Sequence, residues 1–256
     1  TLNAFFLSLT GVPNLMVWIS INLLLFRFHI QAGAVKIQSR DKNWRNMSAL
    51  GYHYLSQPIP NATAWYMHKL PLWFHKASTL GMFIIELVVP FGIFGPDWMR
   101  FWVFIAFFGL QWTIWATGNF SYLNHLTAIF STILIANAYL SGWLSVPAET
   151  APLDIVAWTC TLAGTILTLL QLTHLWNHFF PSITLGRFLR LFSRFYLVNR
   201  YGIFAVMTTG RNEVIFEGSD DGEEWKEYAF YHKPSEVERR PKRVSPYQPR
   251  IDWQAW

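Results

Sequence analysis

The strongest constraint on this chain is where charge is missing. Residues 101–180 carry only two formally charged side chains, Glu149 and Asp154; residues 1–35 carry Arg27 alone, and residues 77–96 carry Glu86 alone. Apolar runs of about 20 residues match the thickness of a bilayer's hydrocarbon core. In lipid the backbone must satisfy its own hydrogen bonds, so such runs become helices. Five stretches qualify, at about 13–36, 74–95, 98–117, 120–143 and 153–177. Trp73, Trp98, Trp143 and Trp176 stand near their ends, as an interfacial aromatic belt does. Pro13, Pro96, Pro147 and Pro152 mark the connections. The expected fold is mainly α and polytopic, with about five spans in residues 1–180. Overall only 14% of residues are charged, against about a quarter in soluble domains.

Charge returns after residue 180. In 183–198, ITLGRFLRLFSRFYLV, arginines recur every three or four residues among Leu and Phe. This predicts an amphipathic helix over 181–198, lying on the bilayer or packed on the extramembrane part. Residues 199–256 form a small β-rich extramembrane domain. The turn SDDG, between VIFEG and WKEYAFY, predicts a hairpin. Its carboxylates, Asp220, Asp221, Glu223 and Glu224, read as a solvated turn or a calcium loop. The net charge of +5 gathers partly beside membrane segments, which favours lipid headgroups over nucleic acid as a partner. Cys160 is the only cysteine, so no intrachain disulfide forms. The chain opens on TLNAFFLSLT and stops at DWQAW; we expect a fragment lacking both ends, its C-terminal domain truncated.

The first span and the loop after it hold the chemistry. Arg27 and His29 lie inside an apolar run that ends at Lys36. On a helix His29, Gly33 and Lys36 share a face, with Arg27 and Gln31 roughly opposite. An ionisable group at mid-membrane costs about 2.5–3.5 kcal/mol on insertion scales, so a partner is expected. Glu86 is the acid placed to serve Arg27 or His29, as structural glue or as the wall of a polar cavity. Gly33 invites close approach of another backbone. Lys36 either snorkels to the headgroups or sits desolvated as a base. The loop 37–72 is long and aromatic. Tyr52, His53, Tyr54, Trp65, Tyr66 and Trp73 offer either interfacial anchors or a client-binding surface. His174 and His178, at i and i+4, can share a ligand, but no third ligand is in view, and neither a metal nor a cofactor is expected.

Several long segments resemble the lipase maturation factor family: FHIQAGAVKIQSRDKNWRN, ALGYHYLSQPIPNATAWYMHKLPLWFHK, ELVVPFGIFGP, GNFSYLNHLT, VNRYGIFAVMTTGRNEVIFEGSDDGEEWKEYAFYHKPSEVERRP and SPYQPRIDWQAW. The resemblance implies a multi-pass membrane protein that helps secreted lipases, or similar exported clients, fold and assemble. Animal members place cysteines near DKNW and in the C-terminal domain. Their absence here points to a bacterial member in the cytoplasmic membrane; a eukaryotic member would sit in the endoplasmic reticulum membrane. AGAVKIQSRDKNW is also distantly similar to a segment of the vitamin K-dependent glutamyl carboxylase, whose Ala-Gly-x-x-Lys pattern supplies a catalytic lysine at the place of Lys36. That implies the alternative of a membrane enzyme using Lys36 as a base. The basic loop, with Arg40, Lys42 and Arg45, would be cytoplasmic by the positive-inside rule, whereas Asn46, Asn61 and Asn119 lie in Asn-x-Ser/Thr sites of exported chains. The family resemblance puts the loop and the C-terminal domain on the exported side.

Overall fold

A computed structural model describes residues 15–135, 155–234 and 239–255. The chain is mainly α. Helix α1 (Leu15–Gln38) is followed by three short loop helices, α2 (Lys42–Arg45), α3 (Ala49–His53) and α4 (Ala62–His68). Then come α5 (Leu72–Leu87), a 3-10 segment (Val89–Phe94), α6 (Asp97–Thr117) and α7 (Leu123–Ser131) with a 3-10 turn (Thr132–Leu134). Beyond lie α8 (Ile155–Phe179), α9 (Ile183–Ser193), strands β1 (Glu217–Gly218) and β2 (Lys226–Glu227), and α10 (Arg250–Gln254).

Among the described residues, four helical segments are long and apolar enough to cross a membrane: Leu15–Gln38, Leu72–Phe94, Asp97–Thr117 and Ile155–Phe179. The protein is an integral membrane protein. The span expected at 120–143 is helical over Leu123–Leu134; its remainder and the 144–152 turn lie outside the described residues. The spans differ in what surrounds them. The most apolar window of α1 is 67% buried within the chain, against 17% to 28% for the other three. So α1 is a core helix, and the others expose most of their surface to lipid. This explains why polar residues concentrate in α1: Ser20, Asn22, Arg27, His29 and Gln31 are all at or below 1% exposed.

Two compact units emerge. One comprises residues 1–35, 86–104 and 133–203; the other comprises 36–85, 105–132 and 204–256. In the first unit α8 packs on α1 through small residues. A Cβ on Gly164 would lie 2.8 Å from the backbone of Met16 and Val17, and Gln171 Nε2 donates to Ser20 O at 3.0 Å and to its Oγ at 2.9 Å. The expected helix after residue 180 is α9. In the second unit, β1 and β2 pair antiparallel, Glu217 with Glu227 and Gly218 with Lys226, across the SDDG turn. Asp221 organises that turn, accepting from the backbone N–H groups of Glu223 and Glu224, both at 2.9 Å. These bonds hold its carboxyl at about 2.

The alternation in YGIFAVMTT predicts a strand, yet among the described residues it joins no ladder. Side chains of other segments take its amides instead. Gln31 Oε1 accepts from Tyr201 N at 3.3 Å, and Asp41 Oδ2 accepts from Met207 N at 2.6 Å. An amide already bonded to a side chain has nothing left to give a neighbouring strand.

Candidate functional site

In the second unit the site is built from the DKNW segment outward. Asp41 Oδ1 caps α2 by accepting from Asn43 N at 2.8 Å, while its other oxygen holds Met207. Trp44 is 2% exposed; its Nε1 donates to Phe204 O at 3.0 Å, and its ring meets Phe83 edge to face at 5.8 Å. Lys36, in the last turn of α1, is 3% exposed, with Nζ 5.5 Å from the centre of the Trp44 ring. Such a placement gives an ammonium a cation–π partner. Lys36 therefore does not reach out to headgroups.

His53 lies beside this lysine. Its ring stacks on Phe120 at 5.7 Å and meets Phe204 edge to face at 5.3 Å. Burial, and then the Lys36 charge, lower its pKa to about 4, so the imidazole is neutral at pH 7. Tyr54 is buried against His75, ring centres 5.8 Å apart, and burial pushes its phenol up.

The outer face is different. Tyr52, Trp65, Tyr66 and Trp73 are exposed. Trp65 and Tyr66 meet edge to face at 5.0 Å, and Lys69 Nζ caps the Trp65 ring at 3.3 Å. Of the six aromatic and histidine candidates, these four form a surface; His53 and Tyr54 form the packing beneath. Buried amides hold that packing. Asn61 Oδ1 caps α4 through Ala64 N at 2.8 Å, and its Nδ2 donates to Ala116 O at 3.0 Å. Gln57 Nε2 donates to Thr117 O at 3.0 Å.

Asn119 is the hub, and sequence reasoning placed it only within a glycosylation pattern. Its Nδ2 donates to Ile59 O at 3.2 Å and Lys242 O at 3.0 Å. Its Oδ1 accepts from Val244 N at 2.9 Å and Ser245 N at 3.1 Å. Asn61 and Asn119 are each 3% exposed, so both amides are consumed by folding; Asn46 alone of the three is on the surface. Arg211 adds bonds to Gln57 O at 2.9 Å and Pro58 O at 3.4 Å. Arg243 donates to Trp115 O at 3.0 Å and lies 3.5 Å over its ring. Lys233, 1% exposed, donates to Val214 O at 3.2 Å and Ala255 O at 3.1 Å and pairs with Glu213 at 3.1 Å.

The intramembrane candidates belong to the first unit. Arg27 is fully buried. Its Nη2 donates to Asn199 O at 2.9 Å, and its guanidinium carbon lies 5.6 Å from the Tyr201 ring centre. With Gln31 bonded to Tyr201 N, one face of α1 grips residues 199–201. His29 Nδ1–H donates to Leu25 O at 2.9 Å. Glu86 is 7% exposed. A Cβ on Gly33 would lie 3.0 Å from Glu86 Cβ and 2.7 Å from the Leu87 side chain, so side chains approach that glycine most closely, where a backbone was expected. Among the described residues no three His, Cys, Asp or Glu side chains gather as a metal ion would need.

The DKNW clasp, the amide hub and the grip of α1 on residues 199–201 coincide with segments that match known proteins. Residues 5–142 match the lipase maturation factor transmembrane domain, and residues 197–256 match the lipase maturation factor C-terminal domain. The chain belongs to the lipase maturation factor family. Among its relatives, lipase maturation factor 1 of Bos taurus is 32% identical over 275 residues, covering 96% of this chain and 48% of the relative. Lipase maturation factor 1 of Homo sapiens is 30% identical, covering 96% and 47%. Lipase maturation factor 2 of Rattus norvegicus is 30% identical, covering 95% and 49%. The chain thus spans about half the length of the curated relatives it matches. No solved structure matches it.

Proposed function

We propose that this chain acts as a membrane-bound maturation factor, assisting the folding and assembly of secreted lipases or similar exported clients. The relatives' names support the role. The observation that carries the mode of action is the exposed set Tyr52, Trp65, Tyr66 and Trp73: Tyr52, Trp65 and Tyr66 stand on the short helices α3 and α4, whose surroundings are tied down by Gln57, Asn61 and Asn119, and Trp73 stands in the first turn of α5. Rigid aromatics give large contact area at low entropic cost, as binding hot spots require. The surface and the C-terminal region face the exported side. That side is the lumen of the endoplasmic reticulum in a eukaryote, or the outer side of the cytoplasmic membrane in a bacterium. The test is photocrosslinking from positions 66 and 73, with position 54 as the buried control, in cells synthesising a secreted lipase. Adducts to the lipase from 66 and 73 alone support the reading. Adducts only to lipid would reduce the four aromatics to interfacial anchors.

A second reading rests on Lys36, which is buried beside Trp44 and the neutral His53. In it Lys36 is the base of a membrane enzyme related to the glutamyl carboxylase. Lys36→Arg keeps the charge and removes the titratable amine. Loss of function in that variant, with client crosslinks intact, would favour the enzyme.

A further inference from the structure

Charge after the span α8 is one-sided. Residues 155–212 contain no Asp or Glu, while Arg187, Arg190, Arg194, Arg200 and Arg211 all fall within them. Arg187 and Arg190 belong to α9, and Arg194 is its C-cap. All three are exposed, and among the described residues none of them joins an ion pair.

α9 starts at the membrane surface. α8 ends at Phe179 and α9 begins at Ile183, with only Phe180, Pro181 and Ser182 between them. Asn177 Oδ1 accepts from Ser182 N at 2.9 Å, which ties this turn back to the last turn of the span. Leu185 shares the wall of an apolar groove with Leu172, Trp176 and Phe179 of α8. That side of α9 therefore turns towards the lipid-depth part of α8, not away from the membrane.

The helix has three sectors. At roughly 100° of rotation per residue, Arg187, Arg190 and Arg194 fall within about 60° of one another. Leu185, Leu189 and Phe192 lie opposite and are half-buried. Between these two stripes stand Thr184, Phe188 and Leu191; Phe188 is 44% and Leu191 66% exposed. No residue of α9 is buried, so the chain covers only one of its two apolar sectors. The uncovered one is bordered by arginines, as in helices that lie in an acidic leaflet.

We infer that α9 is an in-plane recognition element for acidic phospholipid. Phe188 and Leu191 enter the acyl boundary of the leaflet, and Arg187, Arg190 and Arg194 hold the headgroup phosphates by charge-assisted hydrogen bonds. A neutral leaflet would leave the arginines to water. A soluble acidic partner would leave Phe188 and Leu191 without lipid. This inference stands apart from the client surface and from Lys36.

The experiment is fluorescence quenching on the full chain in phosphatidylcholine nanodiscs. A fluorophore is placed on Thr184→Cys, in the uncovered sector; Cys160 is 1% exposed and stays unlabelled. Quenching is compared for phosphatidylglycerol and phosphatidylcholine at equal mole fraction, each carrying a doxyl group close to the headgroup. A basic residue beside an acidic surface is worth about fivefold in local partition, so the preference for phosphatidylglycerol at position 184 should be about fivefold or more. A label on Ile166→Cys, 48% exposed on α8, should show no preference. Arg187→Gln/Arg190→Gln/Arg194→Gln changes only exposed side chains, so the fold survives, and it should bring the two lipids to parity at position 184. Equal quenching by the two lipids in the otherwise unchanged chain would overturn the proposal, as would a preference that survives in the triple variant. Quenching by neither lipid at position 184, with position 166 quenched, would also overturn it and leave α9 to a protein partner.

Discussion

Asn119→Ala is the perturbation that most directly probes how the aromatic loop is held. The asparagine is 3% exposed and its amide makes four bonds, to Ile59 O, Lys242 O, Val244 N and Ser245 N. Truncation removes all four and leaves four main-chain groups to find water. A hydrogen bond contributes a net of about 1 kcal/mol, and a stranded buried partner costs about 1–3. The bond to Ile59 is buried and the other three are part-buried, so water can relieve some of the loss. The expected destabilisation is about 3 kcal/mol, read as a lowered melting temperature in detergent together with early proteolytic release of residues 239–255. Asn119→Ala also destroys an Asn-x-Ser site, so Ser121→Gly is the control. It removes the same site, keeps the hub and suits a backbone already at φ +58. Ser121→Gly should melt within about 0.5 kcal/mol of wild type. An equal loss in both variants would mean that a glycan, not the hub, stabilises the region. No loss in either would refute the hub.

Further expectations follow from the same packing. His53 has a folded pKa of about 4 against an unfolded value near 6.5, so the unfolded chain binds the extra proton. Its stabilising contribution is complete above about pH 6.5 and disappears as pH falls through 4, a loss of about 3 kcal/mol. His53→Phe should flatten that limb of a melting-temperature-against-pH curve, and an unchanged limb would exclude His53 as its source. Trp44→Phe strips Phe204 O of its donor and should cost about 1–2 kcal/mol by thermal unfolding. Gly33→Val would drive its side chain into Leu87 and Glu86 and should cost about 1–3 kcal/mol, visible as reduced membrane accumulation.

How much of this was legible beforehand depends on the kind of interaction. The span ends at Gln38, Leu72, Phe94, Asp97, Thr117 and Phe179 fall within two residues of the ends of the apolar runs, because hydrophobic length and backbone self-satisfaction depend on contiguous sequence. That Arg27, His29 and Gln31 turn inward was also legible, since lipid offers them nothing. The bonds of Arg27 and Gln31 to Asn199 and Tyr201 were not: these partners lie some 170 residues away, and no local rule links them to α1. The division of the loop into an outer face of Trp65, Tyr66 and Trp73 and an inner layer of His53 and Tyr54 was equally hidden, since both layers are aromatic. Asn119 misleads for another reason. A buried amide hub and a surface glycosylation site are written with the same letters, and only burial tells them apart. The strand read into YGIFAVMTT joins no ladder among the described residues, and two of its amides, Tyr201 N and Met207 N, are claimed by Gln31 and Asp41, which alternation cannot show.

The central claim is that the outer aromatic face acts on a client, and one measurement bears on it most directly. In cells deleted for the full-length gene, restore wild type, or the quadruple alanine variant at Tyr52, Trp65, Tyr66 and Trp73, or Lys36→Ala. Then measure secreted lipase activity per lipase molecule, at matched membrane levels of each protein. The account predicts that wild type and Lys36→Ala restore activity, while the quadruple variant falls at least tenfold short. Full rescue by the quadruple variant, with failure of Lys36→Ala, would contradict the account and move the function to the buried lysine.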